Sequence, residues 1–149
     1  MRSASGPRVE LVVALCLALS GCVTPATGSD SYRDKAVTSV RAATSEVATS
    51  QLVVRLFRHD RILAPYADET VTSSESALGS IADAFGSVQP PRGDDEVRDE
   101  VSGLVSDAED AVGHARIAIR RSDRGGVADA AKELRKVATD LADAEKKLS

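Results

Sequence analysis

The sequence predicts an all-α protein: an antiparallel up-down-up-down four-helix bundle over residues 31–149, preceded by a leader and a short tether. Three observations carry this. Four segments repeat apolar or small residues at alternating spacings of three and four, the period of a helix with one buried stripe. Helix breakers stand between them, at Ala64 and Pro65, at Gln89 to Pro91, and at Ser122 to Gly126. No run alternates with the period of two that a half-buried strand requires.

The first helix is expected over about 31–63, with Asp30 or Ser31 as cap. Val40, Val47 and Val54 recur every seven residues, and Ala36, Ala43, Ser50 and Phe57 fall between them. Leu52, Leu56 and Leu63 are expected to widen this seam near its end. Proline disfavours helical geometry in the residue before it, so Ala64 is a stop, while Pro65 suits the first turn of the next helix. That second helix, about 65–89, has the stripe Ala67, Val71, Ser74, Leu78, Ile81, Phe85 and Val88.

The third, about 94–121, opens with Asp94, Asp95 and Glu96, carboxylates favoured at the positive end of the helix dipole. Its stripe is Val97, Val101, Leu104, Ala108, Ala111, Ala115 and Ala118, flanked by Val105, Val112 and Ile119. The fourth, about 125–148, reads Val127, Ala130, Leu134, Val137, Leu141, Ala144 and Leu148. Connections of a few residues make consecutive helices antiparallel neighbours. Dimerising helical hairpins are the alternative that buries the same stripes. Seams of valine and alanine let helices approach closely and leave little interior volume for a ligand.

Arg2 and Arg8 precede an apolar run from Leu11 to Leu19, the layout of a secretory signal. The run is too short to span a bilayer, which takes about 20 apolar residues. It closes on Leu19, Ser20, Gly21 and Cys22, which resembles the lipobox of bacterial lipoproteins. The resemblance implies that residues 1–21 are a signal peptide, that cleavage falls between Gly21 and Cys22, and that the Cys22 sulfur carries a diacylglyceryl group. A thiolate is the most nucleophilic side chain available for such a thioether. The other reading is an ordinary cysteine after an ordinary signal. Cys16, the other of the two cysteines, lies inside the run expected to be discarded, so no internal disulfide is expected to survive maturation. Two acyl chains give stable attachment where one holds marginally. The expected location is the extracytoplasmic face of a bacterial envelope membrane, with residues 22–30 as tether. Eight extended residues after Cys22 reach at most ~28 Å.

Residues 1–21 contribute +1 of the formal charge of -4, leaving -5 on residues 22–149. This acidic excess speaks against nucleic acid as partner. Tyr32, Phe57, Tyr66 and Phe85 are the only aromatics, which argues against recognition by stacked rings.

Motifs of catalysis are missing. There is no Gly-x-Ser-x-Gly, no Ser-x-x-Lys and no Cys-x-x-Cys-His. The Glu-x-x-His pair of bundle di-iron centres is also absent; the nearest set is Asp110 with His114, plus His59, more simply read as exposed helix residues. The carboxylate pairs Asp94/Asp95 and Glu109/Asp110 read as helix-start and solvated charges. The expectation is therefore a non-enzymatic protein, with no catalytic residue, no metal site and no cofactor.

With the N-terminus at the membrane, up-down topology puts the first and third connections at the far end. Arg55, Arg58, His59 and Arg61 lie beside the first, and Arg116, Arg120, Arg121 and Arg124 beside the third. A basic tip can meet an anionic envelope protein or polymer. The weightier explanation is that cations at helix C-termini relieve the dipole by ~0.3–1 kcal/mol each. The function expected is a lipid-anchored protein-interaction or structural module of the envelope. The alternative is a small solute-binding or sensory domain reporting to a membrane partner, which a cavity near Phe57, Tyr66 and Phe85 would favour.

Overall fold

The computed structural model describes residues 28–149; the leader, the Gly21/Cys22 cleavage site and most of the tether lie outside them. The described residues form four α-helices and no strand: α1 Ser29–Arg58, α2 Ala64–Gly86, α3 Asp95–Arg120 and α4 Arg124–Leu148. None is long and apolar enough to cross a membrane. At 30 residues, α1 is about 45 Å long.

The four helices pack as a bundle. Each touches its neighbour in sequence, α4 closes on α1, and α1 meets α3 across the centre, whereas α2 and α4 do not touch. The short diagonal fits the composition of α3, whose buried Ala108, Ala111 and Ala115 offer little bulk. The stripes read from the sequence form one core. Ala36, Val40, Ala43, Val47, Ser50 and Val54 are buried on α1, and Val127, Ala130, Leu134, Val137, Leu141 and Ala144 on α4. Leu78, Ile119, Leu134, Leu141 and Tyr32 are the largest fully buried side chains.

Several details differ from expectation. Leu63 is 78 % exposed and Leu52 45 % exposed, so neither widens the α1 seam. Leu52, two residues before Val54, points to the opposite side of the helix, and Leu63 lies beyond the helix end. Neither Asp30 nor Ser31 caps α1, which starts from Gly28 without a side-chain cap. α2 stops at Gly86, leaving Val88 past its end.

α1 stops at Arg58 because the chain turns left-handed at Asp60 (φ 52°). The Asp60 and Arg61 amides bond back to the carbonyls of Phe57 (3.0 Å) and Leu56 (2.9 Å), a Schellman closure. α3 ends the same way: Ser122 has φ 52°, and the Ser122 and Asp123 amides reach Ile119 and Ala118 at 2.9 Å each. Asp123 then caps α4 by accepting from the Gly126 amide at 3.0 Å. The two glycines of the expected break lie inside α4. A Cβ on Gly126 would meet Asp123 Oδ2 at 2.7 Å, so the cap needs glycine there.

Candidate functional site

Contacts between helices define two ends. At the end holding Ser29, Arg33 Nε lies 3.4 Å from Asp94 Oδ1, Arg41 Nε 2.6 Å from Glu145 Oε1 and Lys147 Nζ 2.7 Å from Glu100 Oε2. The Tyr32 and Phe85 rings pack there with centroids 5.5 Å apart. At the other end, Arg120 Nη2 lies 3.1 Å from Asp68 Oδ2, and Arg124 Nη2 lies 3.8 Å from Asp60 Oδ1. The connections 59–63 and 121–123 therefore lie side by side, with the start of α2 next to the end of α3.

The eight residues of the expected basic tip divide in two. Arg116 turns onto α2, where its Nε donates to Glu75 Oε2 and its Nη2 to Glu75 Oε1 at 3.1 Å. These two parallel bonds raise the Arg116 pKa above the usual arginine value. Arg120 makes the matching pair with Asp68, at 3.3 and 3.1 Å. Both arginines act within the bundle, tying α3 to α2. The other six, Arg55, Arg58, His59, Arg61, Arg121 and Arg124, are exposed at the second end. Of these, only Arg124 pairs with a carboxylate among the described residues, and that pair is loose, 88 % and 81 % exposed.

Two clefts open there and share Arg58. One, about 360 Å³, is lined by Phe57, Arg58, Asp60, Ser122, Arg124 and Val127 among others. Its neighbour, about 260 Å³, lies between α1 and α4, with Arg55, Arg58, His59 and Arg135 around Val54 and Ala131. The second has no carboxylate in its lining. Arg135 was missed in the sequence because it lies in mid-helix, far from any connection. Its position four residues after Ala131 on α4 carried the signal, readable only once α1 was known to pack beside it.

The loose metal set does not assemble. His114 Nδ1 lies 2.8 Å from Glu133 Oε2, both exposed, and no group of three or more His, Cys, Asp or Glu among the described residues is placed to hold a metal ion. At the opposite end Asp94 is 2 % exposed: Arg33 reaches one oxygen, and Oδ2 has no partner. No protein-family model, curated protein or solved structure matches the chain.

Proposed function

We propose that this chain is an extracytoplasmic lipoprotein, held to an envelope membrane through acylated Cys22, whose helices run up-down-up-down and present a cationic end away from the anchor. It works without catalysis, as an interaction or structural module that docks an anionic component of the envelope. One observation carries the docking role: Arg55, Arg58, Arg61 and Arg121 gather, beside His59, without an ion-pair partner among the described residues at the end opposite Ser29, in a chain of net negative charge. Like charges held together without counter-ions repel, and an anionic partner relieves that cost. The contacts Arg33 to Asp94 and Lys147 to Glu100 support the alternating helix direction, since each joins residues near Ser29 or near the chain's end to the start of α3.

Two measurements test the reading. Mass analysis of the protein extracted from its native membranes is expected to find a diacylglyceryl adduct on Cys22; an unmodified thiol there refutes the anchor. Cross-linking in intact cells is expected to trap a partner that is lost when Arg58, Arg61 and Arg121 become Gln. An unchanged cross-linking pattern refutes the docking role.

A second reading, a solute-binding or sensory domain, is favoured by the cleft of about 360 Å³ beside Phe57, in the size range of ligand sites. It ranks below because neither Tyr66 nor Phe85 lines that cleft, so its apolar surface is small. A thermal shift with small anionic metabolites would reverse the order.

A further inference from the structure

We infer that the cationic end of the bundle seats on an anionic bilayer, inserting Leu63 and Tyr66 between lipid headgroups while the surrounding arginines bind phosphate. This rests on reading that end as the interaction surface and names its partner. The argument starts from apolar residues that have nothing to do with the charge. Four large apolar side chains are exposed among the described residues: Leu63 at 78 %, Tyr66 at 68 %, Leu52 at 45 % and Ile117 at 40 %. All four lie toward the same end. Leu63 and Tyr66 stand on the first connection and the opening turn of α2, Ile117 is in the last turn of α3, and Leu52 is within two turns of the end of α1.

A scatter of single exposed hydrophobes needs no explanation, but their confinement to the one cationic end does. Leucine and tyrosine among arginines make the composition of a membrane interface. The leucine enters the acyl boundary, the phenol keeps its hydroxyl at headgroup level, and guanidinium groups meet phosphate.

An acidic protein is the competing partner, and shape argues against it. Leu63 projects from a connection, 78 % exposed, and lines neither of the two clefts of this end, whereas a fluid lipid surface adapts to a protruding residue. Of the carboxylates of this end, Asp68 holds Arg120, Asp60 loosely faces Arg124 and Asp123 caps α4 through the Gly126 amide, while Glu69 has no ion-pair partner among the described residues. The bundle as a whole is repelled by anionic lipid, so only this end can approach, and its approach is oriented. The far end of α1, from which the connection to Leu63 leaves, lies about 45 Å from Ser29, farther than the tether can reach. If Cys22 is anchored, an upright molecule joins two bilayers.

The chain has no tryptophan, so Tyr66→Trp supplies a single reporter at the contact. Full-length protein carrying it is floated with vesicles of neutral phosphatidylcholine, or with phosphatidylglycerol added. Some vesicles contain bromine-labelled acyl chains. The expected result is a blue-shifted emission, quenched by the brominated lipid, with the anionic vesicles only. Changing Arg58, Arg61, Arg121 and Arg124 to Gln is expected to weaken this response by roughly fivefold per arginine. Leu63→Asn is expected to reduce the quenching.

Emission unchanged on anionic vesicles overturns the inference, as does an equal shift on neutral ones. A shift with soluble polyglutamate but not with vesicles overturns it in favour of an acidic protein. Flotation with neutral vesicles reads the Cys22 anchor separately, so loss of the anchor leaves the tryptophan readout intact.

Discussion

Removing one oxygen atom from the core is expected to stabilise the protein. Tyr32 is 0 % exposed, and its hydroxyl has no hydrogen-bond partner. A buried polar group in that state costs about 1–3 kcal/mol. Tyr32→Phe keeps the ring and its packing on Phe85, tilted 35°, and deletes only the stranded hydroxyl. The expected gain is about 1–2 kcal/mol, or a rise in Tm of roughly 3–8 °C for a domain of this size. Urea unfolding followed by far-ultraviolet circular dichroism at neutral pH measures it. The pH dependence supplies an independent check. Burial raises the Tyr32 phenol above its ordinary 10.0; Arg98 opposes this, while Asp94, Asp95 and Asp99 add to it. In the unfolded chain the phenol ionises at its ordinary value, so the Tyr32 contribution is fully present below about pH 10 and is lost as pH rises through the higher folded value. Tyr32→Phe should lack that alkaline limb. A loss of more than about 1 kcal/mol would refute the reasoning, by showing that the hydroxyl has a partner such as a water shared with the equally unpartnered Asp94 Oδ2.

Leu134→Ala, at a fully buried position of the α4 seam, is expected to cost about 2–5 kcal/mol in the same unfolding experiment, depending on how far the site collapses. Ser122→Gly relieves a left-handed non-glycine residue and should raise the unfolding free energy from urea titration by up to about 1 kcal/mol. Arg116→Met leaves Glu75 without its bidentate partner. Both side chains are about a quarter exposed, and a double-mutant cycle with Glu75→Gln is expected to return a coupling of about 1 kcal/mol.

The bundle was legible because its seams leave no choice of face. On α4 Val127, Ala130, Leu134, Val137, Leu141 and Ala144 form one stripe and are all buried, while the charged residues lie off it. Helix ends were less legible. Glycine usually announces a left-handed closure, but here Asp60 and Ser122 take that conformation without it, so α1 was read as continuing to Leu63. The tip was half legible. Charge and chain position placed all eight basic residues near two connections, but partner choice depends on how each helix is rotated about its axis. That rotation turns Arg116 and Arg120 onto α2 and leaves Arg58 and Arg121 in solvent. Asp94 was read as a helix-start charge, yet it is buried, because Arg33 arrives from a helix sixty residues away in the chain.

The distribution of carboxylates explains why the arginines divide as they do, and it separates the two accounts of the tip. α2 carries Asp68, Glu69, Glu75 and Asp83 and no cation, and α3 has seven carboxylates against three arginines. Packed side by side, these two helices repel unless cations bridge them, which is the work of Arg116 and Arg120. α1 itself has no carboxylate within a turn of Arg55 or Arg58, and among the described residues neither forms an ion pair, Asp60 just past the helix facing Arg124 instead. If those arginines served only the C-terminal dipoles, changing Arg58 and Arg121 to Gln should cost about 0.3–1 kcal/mol each in unfolding free energy. If they serve a partner, stability should hold to within a few tenths of a kcal/mol and vesicle binding should fall, while Arg116→Met should do the reverse. A variant pair that lost both properties together would show that the basic end is part of the fold's own electrostatics, with no separate surface left over for recognition.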